Sequence, residues 1–378
     1  MKQIQHLSIL VFFAILFQNN SFATRINKGR EVWSVKQANE WYARQGWLVG
    51  CNYIPGDAIN QLEMWQASTF NEKTIDKELG WAASLGMNTV RVYLHDLLYE
   101  QDKQGFLKRI DVFLRIAAKH RIKPMFVLFD SCWDPFPVLG TQRSPKPHVH
   151  NSGWVQSPGY AALKDPAQYP RLEAYIKGVV SKFANDKRIL AWDVWNEPDN
   201  INNPSYVKVE LADKSKYVYP LMQKAFMWAR SASPVQPLTS GVWSGDWSQH
   251  EKLKPIDKLA IEESDVISFH NYSNAVSFEN HIKILQRYNR PIICTEYMAR
   301  PSESLFATIL PIAKKYNTAV YNWGLVDGKT QTKYPWDSWV KQYEAEPPLW
   351  FHDIFKADGR AYKPEEVKLI KELTTGKK

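Results

Sequence analysis

Cysteine is scarce in this sequence: three residues in 378, at 51, 132 and 294. An odd number, widely spaced, excludes a disulfide framework and shows no paired metal-ligand spacing. Such cysteines read as small buried hydrophobes, with one bridge at most. There is no G-x-G-x-x-G, no G-x-x-x-x-G-K-[ST] and no G-x-S-x-G. Those absences remove the usual marks of a dinucleotide fold, a P-loop and an α/β-hydrolase serine. One long apolar run exists, Leu7 to Phe17, too short to span a bilayer. Low-complexity stretches and internal repeats are absent, and 44% apolar content is far from the profile of a disordered chain.

The net charge of +9 is weak support for nucleic-acid binding, because the lysines are dispersed as solvated faces. The aromatic content carries more: sixteen tryptophans and eighteen tyrosines. Flat rings in such numbers suit a surface that stacks on something flat and polar-edged.

The N-terminus reads as an address. Lys2 precedes the apolar run, and Ser21-Phe22-Ala23 supplies small residues for cleavage. Residues 1–23 are therefore expected to be a signal peptide, which exports the chain to the periplasm or the medium. Residues 24–378 are expected to form a single catalytic domain with no membrane span.

Apolar runs then alternate with helical patterns. The expected strands are Trp47–Tyr53, Asn88–Leu94, Pro124–Phe129, Ile189–Trp195, Pro237–Trp243, Asp265–His270, Pro291–Glu296 and Thr318–Trp323. Near-continuous apolar strands are buried on both faces, as in a parallel sheet. Helices are expected from Asn71 to Ser84 and over Phe106–Lys119, Tyr169–Phe183, Lys214–Ser231, Ser277–Tyr288, Ser302–Tyr316 and Pro364–Leu373. Eight strand-then-helix units predict an α/β fold, a (β/α)8 TIM barrel with long loops on its C-terminal face. The longest loop, Ser131 to Gln168, follows the third strand and is rich in proline and aromatics. Such loops commonly form lids or binding walls.

The most informative segment is Ala191-Trp192-Asp193-Val194-Trp195-Asn196-Glu197-Pro198. The proline ends the strand and delivers Glu197 at its tip. Pro291-Ile292-Ile293-Cys294-Thr295-Glu296 repeats the design at strand seven. In a closed barrel both tips face one pocket. Two converging carboxylates are the minimum apparatus for cleaving a glycosidic bond, one protonated and one ionised.

With these motifs the sequence resembles the retaining glycoside hydrolases of clan A. It is most similar to family 5, the cellulase-like and mannanase-like enzymes. The resemblance implies double displacement on a β-linked oligo- or polysaccharide, with Glu197 as acid/base and Glu296 as nucleophile. It further implies that Arg91 supports the nucleophile and that Tyr272, after His270 at strand six, hydrogen-bonds it. Asn196 would contact the sugar 2-hydroxyl, and Trp323 would floor the subsite of the reacting ring. Asp130 would bind a substrate hydroxyl or act as a structural cap. Trp133 is a candidate stacking platform, with Trp154, Trp243, Trp247, Trp336 and Trp339.

Two features depart from family 5. Phe129-Asp130-Ser131-Cys132-Trp133 stands where that family commonly has a histidine, and Thr295-Glu296-Tyr297 is closer to family 2 barrels. Family 2 enzymes carry β-sandwich domains before the barrel, so a stand-alone barrel is expected here. The expected partner is carbohydrate, with no nucleic acid, cofactor or metal. His148-x-His150 is the one metal-like spacing, and no carboxylate cluster matches it. The alternative function is a catalytically weak or inactive carbohydrate-binding barrel.

Overall fold

The computed structural model describes residues 29–376. The expected signal peptide lies outside the described residues. Eight parallel strands form one sheet: β1 Val49–Asn52, β2 Thr89–Tyr93, β3 Lys123–Asp130, β4 Ala191–Asn196, β5 Leu238–Thr239, β6 Ile267–His270, β7 Ile292–Tyr297 and β8 Ala319–Asn322. Their order, β5-β4-β3-β2-β1-β8-β7-β6, is that of a (β/α)8 barrel.

The seam between β5 and β6 is the weak point of the closure. Strand five was expected over Pro237–Trp243 but is two residues long. The ladder stops at Ser240, whose N–H turns to Ser264 Oγ at 3.1 Å, and at Gly241 a Cβ would sit 3.3 Å from Thr295 Oγ1. A glycine in a strand gives up side-chain packing and admits close neighbours. The barrel is closed beyond it by Val242, which pairs with Phe269.

Helices pack outside the strands. Asn71 accepts from the Thr74 N–H at 3.2 Å and starts the helix Glu72–Ser84. Gly86, at φ +74°, supplies the left-handed residue just beyond its end. The helix expected from Ser302 begins at Phe306, because Arg300–Ser302 makes a 3₁₀ turn around Pro301.

The core has two main parts. A large cluster lies between strands and helices, with Trp65, Phe113, Phe126 and Trp192 among its rings. A second closes the N-terminal mouth of the barrel: Trp41 and Tyr42 of the helix Val35–Ala43 meet Met125, Ile293 and Tyr321. With one end plugged, the strand tips at the other end are left for chemistry. No described helix is long and apolar enough to cross a membrane. All three cysteines are buried and free.

Candidate active site

β4 and β7 carry Glu197 and Glu296 to one cleft of about 600 Å³ on the C-terminal face. Glu197 stands just past β4 with φ +43°. A glutamate in the left-handed region is strained by roughly 1–3 kcal/mol and is held there by its surroundings.

Those surroundings are specific. Glu197 Oε1 lies 2.9 Å from His270 Nδ1. Its Oε2 accepts from Asn200 Nδ2 at 2.6 Å and from the Cys132 thiol at 3.2 Å. Burial would raise this carboxyl, but the hydrogen bonds from His270, Cys132 and Asn200 outweigh it and hold the group below the ordinary glutamate range.

Glu296 is held differently. Its Oε1 accepts from Arg91 Nη1 at 2.8 Å and Tyr93 Oη at 3.0 Å. Its Oε2 accepts from Tyr272 Oη at 2.8 Å. His270 Nδ1 is 3.5 Å from that same oxygen, so it stands between the two carboxylates. Arg91 is fully buried and spends its fork on four further oxygens. Nε and Nη2 reach Asp193 Oδ2, Nη2 reaches Asn196 Oδ1, and Nη1 reaches Asn52 Oδ1 and Tyr93 Oη.

Asn196, Trp133, Trp323, His270 and Tyr272 all line the cleft with the two glutamates. Asp130 does not. It is buried, accepting from Asn196 Nδ2 at 2.9 Å, Trp154 Nε1 at 2.7 Å and the Cys132 N–H at 3.0 Å. Of the two roles open for it, the structural one matches its position. Burial pushes its carboxyl up to about 7, against the pull of those donors. Among the other tryptophans, Trp243 and Trp336 line the cleft, and Trp339 stacks on Trp133 with centroids 6.3 Å apart. Trp154 and Trp247 are 2% exposed and fill the core rather than offering platforms.

Sequence reasoning missed Tyr93, Asp193, Asn52 and Asn200. Arg91-x-Tyr93 did carry a signal, since residues two apart on a strand share a face. Asn200, three residues past Glu197, sits in a turn whose geometry the sequence does not announce.

One cluster among the described residues could hold a cation: Glu197, His270 and Glu296, with donor atoms all within 4.8 Å of one another. The Arg91 guanidinium already meets the Glu296 charge there. His148 and His150 are not part of it; their Nδ1 atoms face the carbonyls of Tyr343 and Tyr334.

The family model described as cellulase, glycosyl hydrolase family 5, matches residues 53–342. The chain belongs to that family. A mannan endo-1,4-beta-mannosidase F of Aspergillus clavatus is 23% identical, over 56% of this chain and 50% of its own length. The chain spans about half or less of the curated relatives it matches. Among solved structures, an exo-beta-1,4-mannosidase from Opitutaceae bacterium strain TAV5 superposes with a TM-score of 0.58 at 19% identity, covering 87% of this chain and 60% of that one. The endo-1,4-beta-mannanase of Rhizomucor miehei does so at 0.55 and 13% identity, covering 86% of this chain and 97% of that one. These likenesses are of fold.

Proposed function

We propose that this family 5 protein is a retaining glycosidase acting on β-linked glycans, with β-mannosides as the foremost substrates. The observation that carries the reading is the spacing of Glu197 and Glu296, whose facing oxygens lie within 4.8 Å. Retaining enzymes hold their carboxyl groups about 5–5.5 Å apart, whereas inverting ones leave about 6.5–9.5 Å for a water. The choice of mannose rests on the names of the relatives, which agree on the sugar and divide between endo and exo action.

In this reading Glu296 attacks the anomeric carbon and forms a glycosyl ester while the bond to the leaving oxygen breaks. Arg91, Tyr93 and Tyr272 hold its two oxygens in place through hydrogen bonds, and Arg91 adds its positive charge. Glu197 gives its proton to the leaving oxygen as that bond breaks, with His270 Nδ1 2.9 Å away to position the carboxyl. In the second step Glu197 removes a proton from water, the water attacks the same carbon, and Glu296 is released. Export through residues 1–23 is part of the proposal, and the N-terminal sequence of the mature protein tests it.

The test is a screen of aryl β-glycosides with wild type beside Glu296→Ala. The expected result is hydrolysis of the β-mannoside, a β-configured first product by NMR, and loss of activity in the variant. A variant as active as wild type overturns the assignment. Sugar binding without turnover across the panel favours the inactive barrel.

A further inference from the structure

The cleft has two distinguishable ends. On the glycosidase reading, on which this inference rests, the reacting carbon lies at Glu296 and the leaving oxygen at Glu197. The leaving-group end is therefore the side of Asn200, which bonds Glu197, and of Trp243, tied to Asp199 at 2.7 Å. The opposite end follows Tyr272, the Glu296 partner, to Trp336 and His352, at ring distances of 5.0 and 5.6 Å.

That second end is built over. Two long loops, 131–168 after β3 and 323–363 after β8, are stitched together along it. The Asn151 N–H donates to the Thr330 carbonyl at 2.8 Å, and the His150 N–H to Ser338 Oγ at 3.0 Å. The His148 N–H donates to Gln331 Oε1 at 2.8 Å. Trp133 stacks on Trp339, and Tyr206, from the segment after β4, meets Trp339 edge-on at 5.3 Å, so the joint between the loops continues round to the Glu197 side. Backbone bonds and packed rings on both sides make this a wall rather than two independent flaps.

The wall also carries unspent hydrogen-bonding groups. Asn151 and His352 border the cleft and are 1% and 0% exposed. Neither the amide nitrogen nor the amide oxygen of Asn151 has a partner, and His352 Nε2 has none. His352 Nδ1 lies 2.5 Å from the Met298 carbonyl, which can only accept, so Nδ1 carries the hydrogen. Burial keeps this imidazole neutral at ordinary pH. Its Nε2 is then an acceptor with no donor. Buried polar atoms left unpaired are rare and call for a partner. Sugar hydroxyls, each both donor and acceptor, supply one for all three atoms.

We infer that the cleft is a chain-end pocket: the joined β3 and β8 loops stop the non-reducing end of a β-glycan, with Asn151 and His352 reading the hydroxyls of its terminal sugars. Cleavage then proceeds stepwise from that end, and mid-chain attack is blocked.

The probe is a β-1,4-linked hexaose labelled at its reducing end and built from the sugar whose aryl β-glycoside is cleaved fastest, mannohexaose on the reading above. The expected course is a labelled ladder that shortens in constant steps, with one short unlabelled product from the first time point. Labelled fragments of every length at that first time point overturn the inference, and so does a labelled mono- or disaccharide released first. Either result would leave the glycosidase reading standing, whereas failure to cleave any aryl β-glycoside overturns that reading and this one together. Asn151→Gly, which keeps the left-handed backbone of φ +47°, adds a second readout: KM for the hexaose should rise about tenfold, with kcat near that of wild type. An unchanged KM overturns the role of Asn151.

Discussion

Arg91 Nη1 meets Glu296 Oε1 at 2.8 Å with the two side chains 1% and 6% exposed, so the cation of this site is committed to a carboxylate away from bulk water. The same guanidinium faces Asp193, which is wholly buried. One positive charge is thus shared between two anions, and the planar fork is what lets it reach both. Lysine cannot repeat that geometry. Arg91→Lys should lower kcat/KM by about 100-fold, about 2.7 kcal/mol of transition-state stabilisation. Arg91→Ala leaves two buried carboxylates uncompensated and should cost about 3–5 kcal/mol of stability. Steady-state kinetics and denaturant unfolding check the pair. A Lys variant with wild-type kcat/KM would remove Arg91 from the chemistry.

Azide separates the roles proposed for the two glutamates. Without Glu296, azide entering the vacated space attacks the anomeric carbon from the face opposite the leaving group, so Glu296→Ala should yield an α-glycosyl azide. Without Glu197, an activated substrate still forms the glycosyl ester, which azide then opens from the other face. Glu197→Ala should therefore yield a β-glycosyl azide. That variant should lose about 10²–10⁴-fold on a substrate with a poor leaving group and far less on a dinitrophenyl glycoside, which needs no proton. Product NMR reads the configuration, and swapped configurations would reverse the assignment.

The hydrogen bonds on Glu197 set a pH dependence. Donors to a carboxylate stabilise its ionised form, and Asn200 and Cys132 are among the groups that hold this carboxyl below its ordinary range. Removing either donor raises the affinity of Glu197 for its proton. The alkaline limb of kcat/KM should then move to higher pH in Asn200→Ala and Cys132→Ala, by about one unit for a hydrogen bond of roughly 1.5 kcal/mol to a charged group. A limb that stays in place in both variants would mean that another group controls it.

The barrel was legible because burial on both faces writes itself as apolar runs, and all eight strands lie within the ranges those runs predict or within a residue of them. β5 was overestimated because Gly241 and its crowded neighbours are a tertiary effect. Glu197 and Glu296 were legible because a strand tip announces itself, with Pro198 as the stop. Trp154 and Trp247, two of the candidate platforms, fill the core instead, because an aromatic in a loop looks the same whether it faces sugar or core. Asn151 and His352 were out of reach, since 201 residues separate them and only the folded loops bring both to one cleft. Cys132 read as a hydrophobe, which its burial matches, while its bond to Glu197 depends on the turn after β3.

Asp353 offers a test of the fold apart from the chemistry. It sits in the segment after β8, wholly buried, accepting from Thr332 Oγ1 at 2.8 and 3.0 Å. Burial, reinforced by Asp327, pushes its carboxyl up to about 7. In the unfolded chain an aspartate titrates near 3.9. Between about pH 4 and pH 7 the folded state therefore binds the proton that the unfolded state has lost, and stability falls as pH rises through that window. The full difference corresponds to a few kcal/mol, and Asp130 and Glu78, each also raised to about 7 chiefly by burial, add to the same slope. Asparagine keeps the shape and cannot ionise. Asp353→Asn should match wild type within about 1 kcal/mol at pH 5 and exceed it at pH 8, flattening the decline without abolishing it. Melting temperatures across pH 5–8 read this directly, and parallel curves for variant and wild type would show that Asp353 does not change its charge in that range.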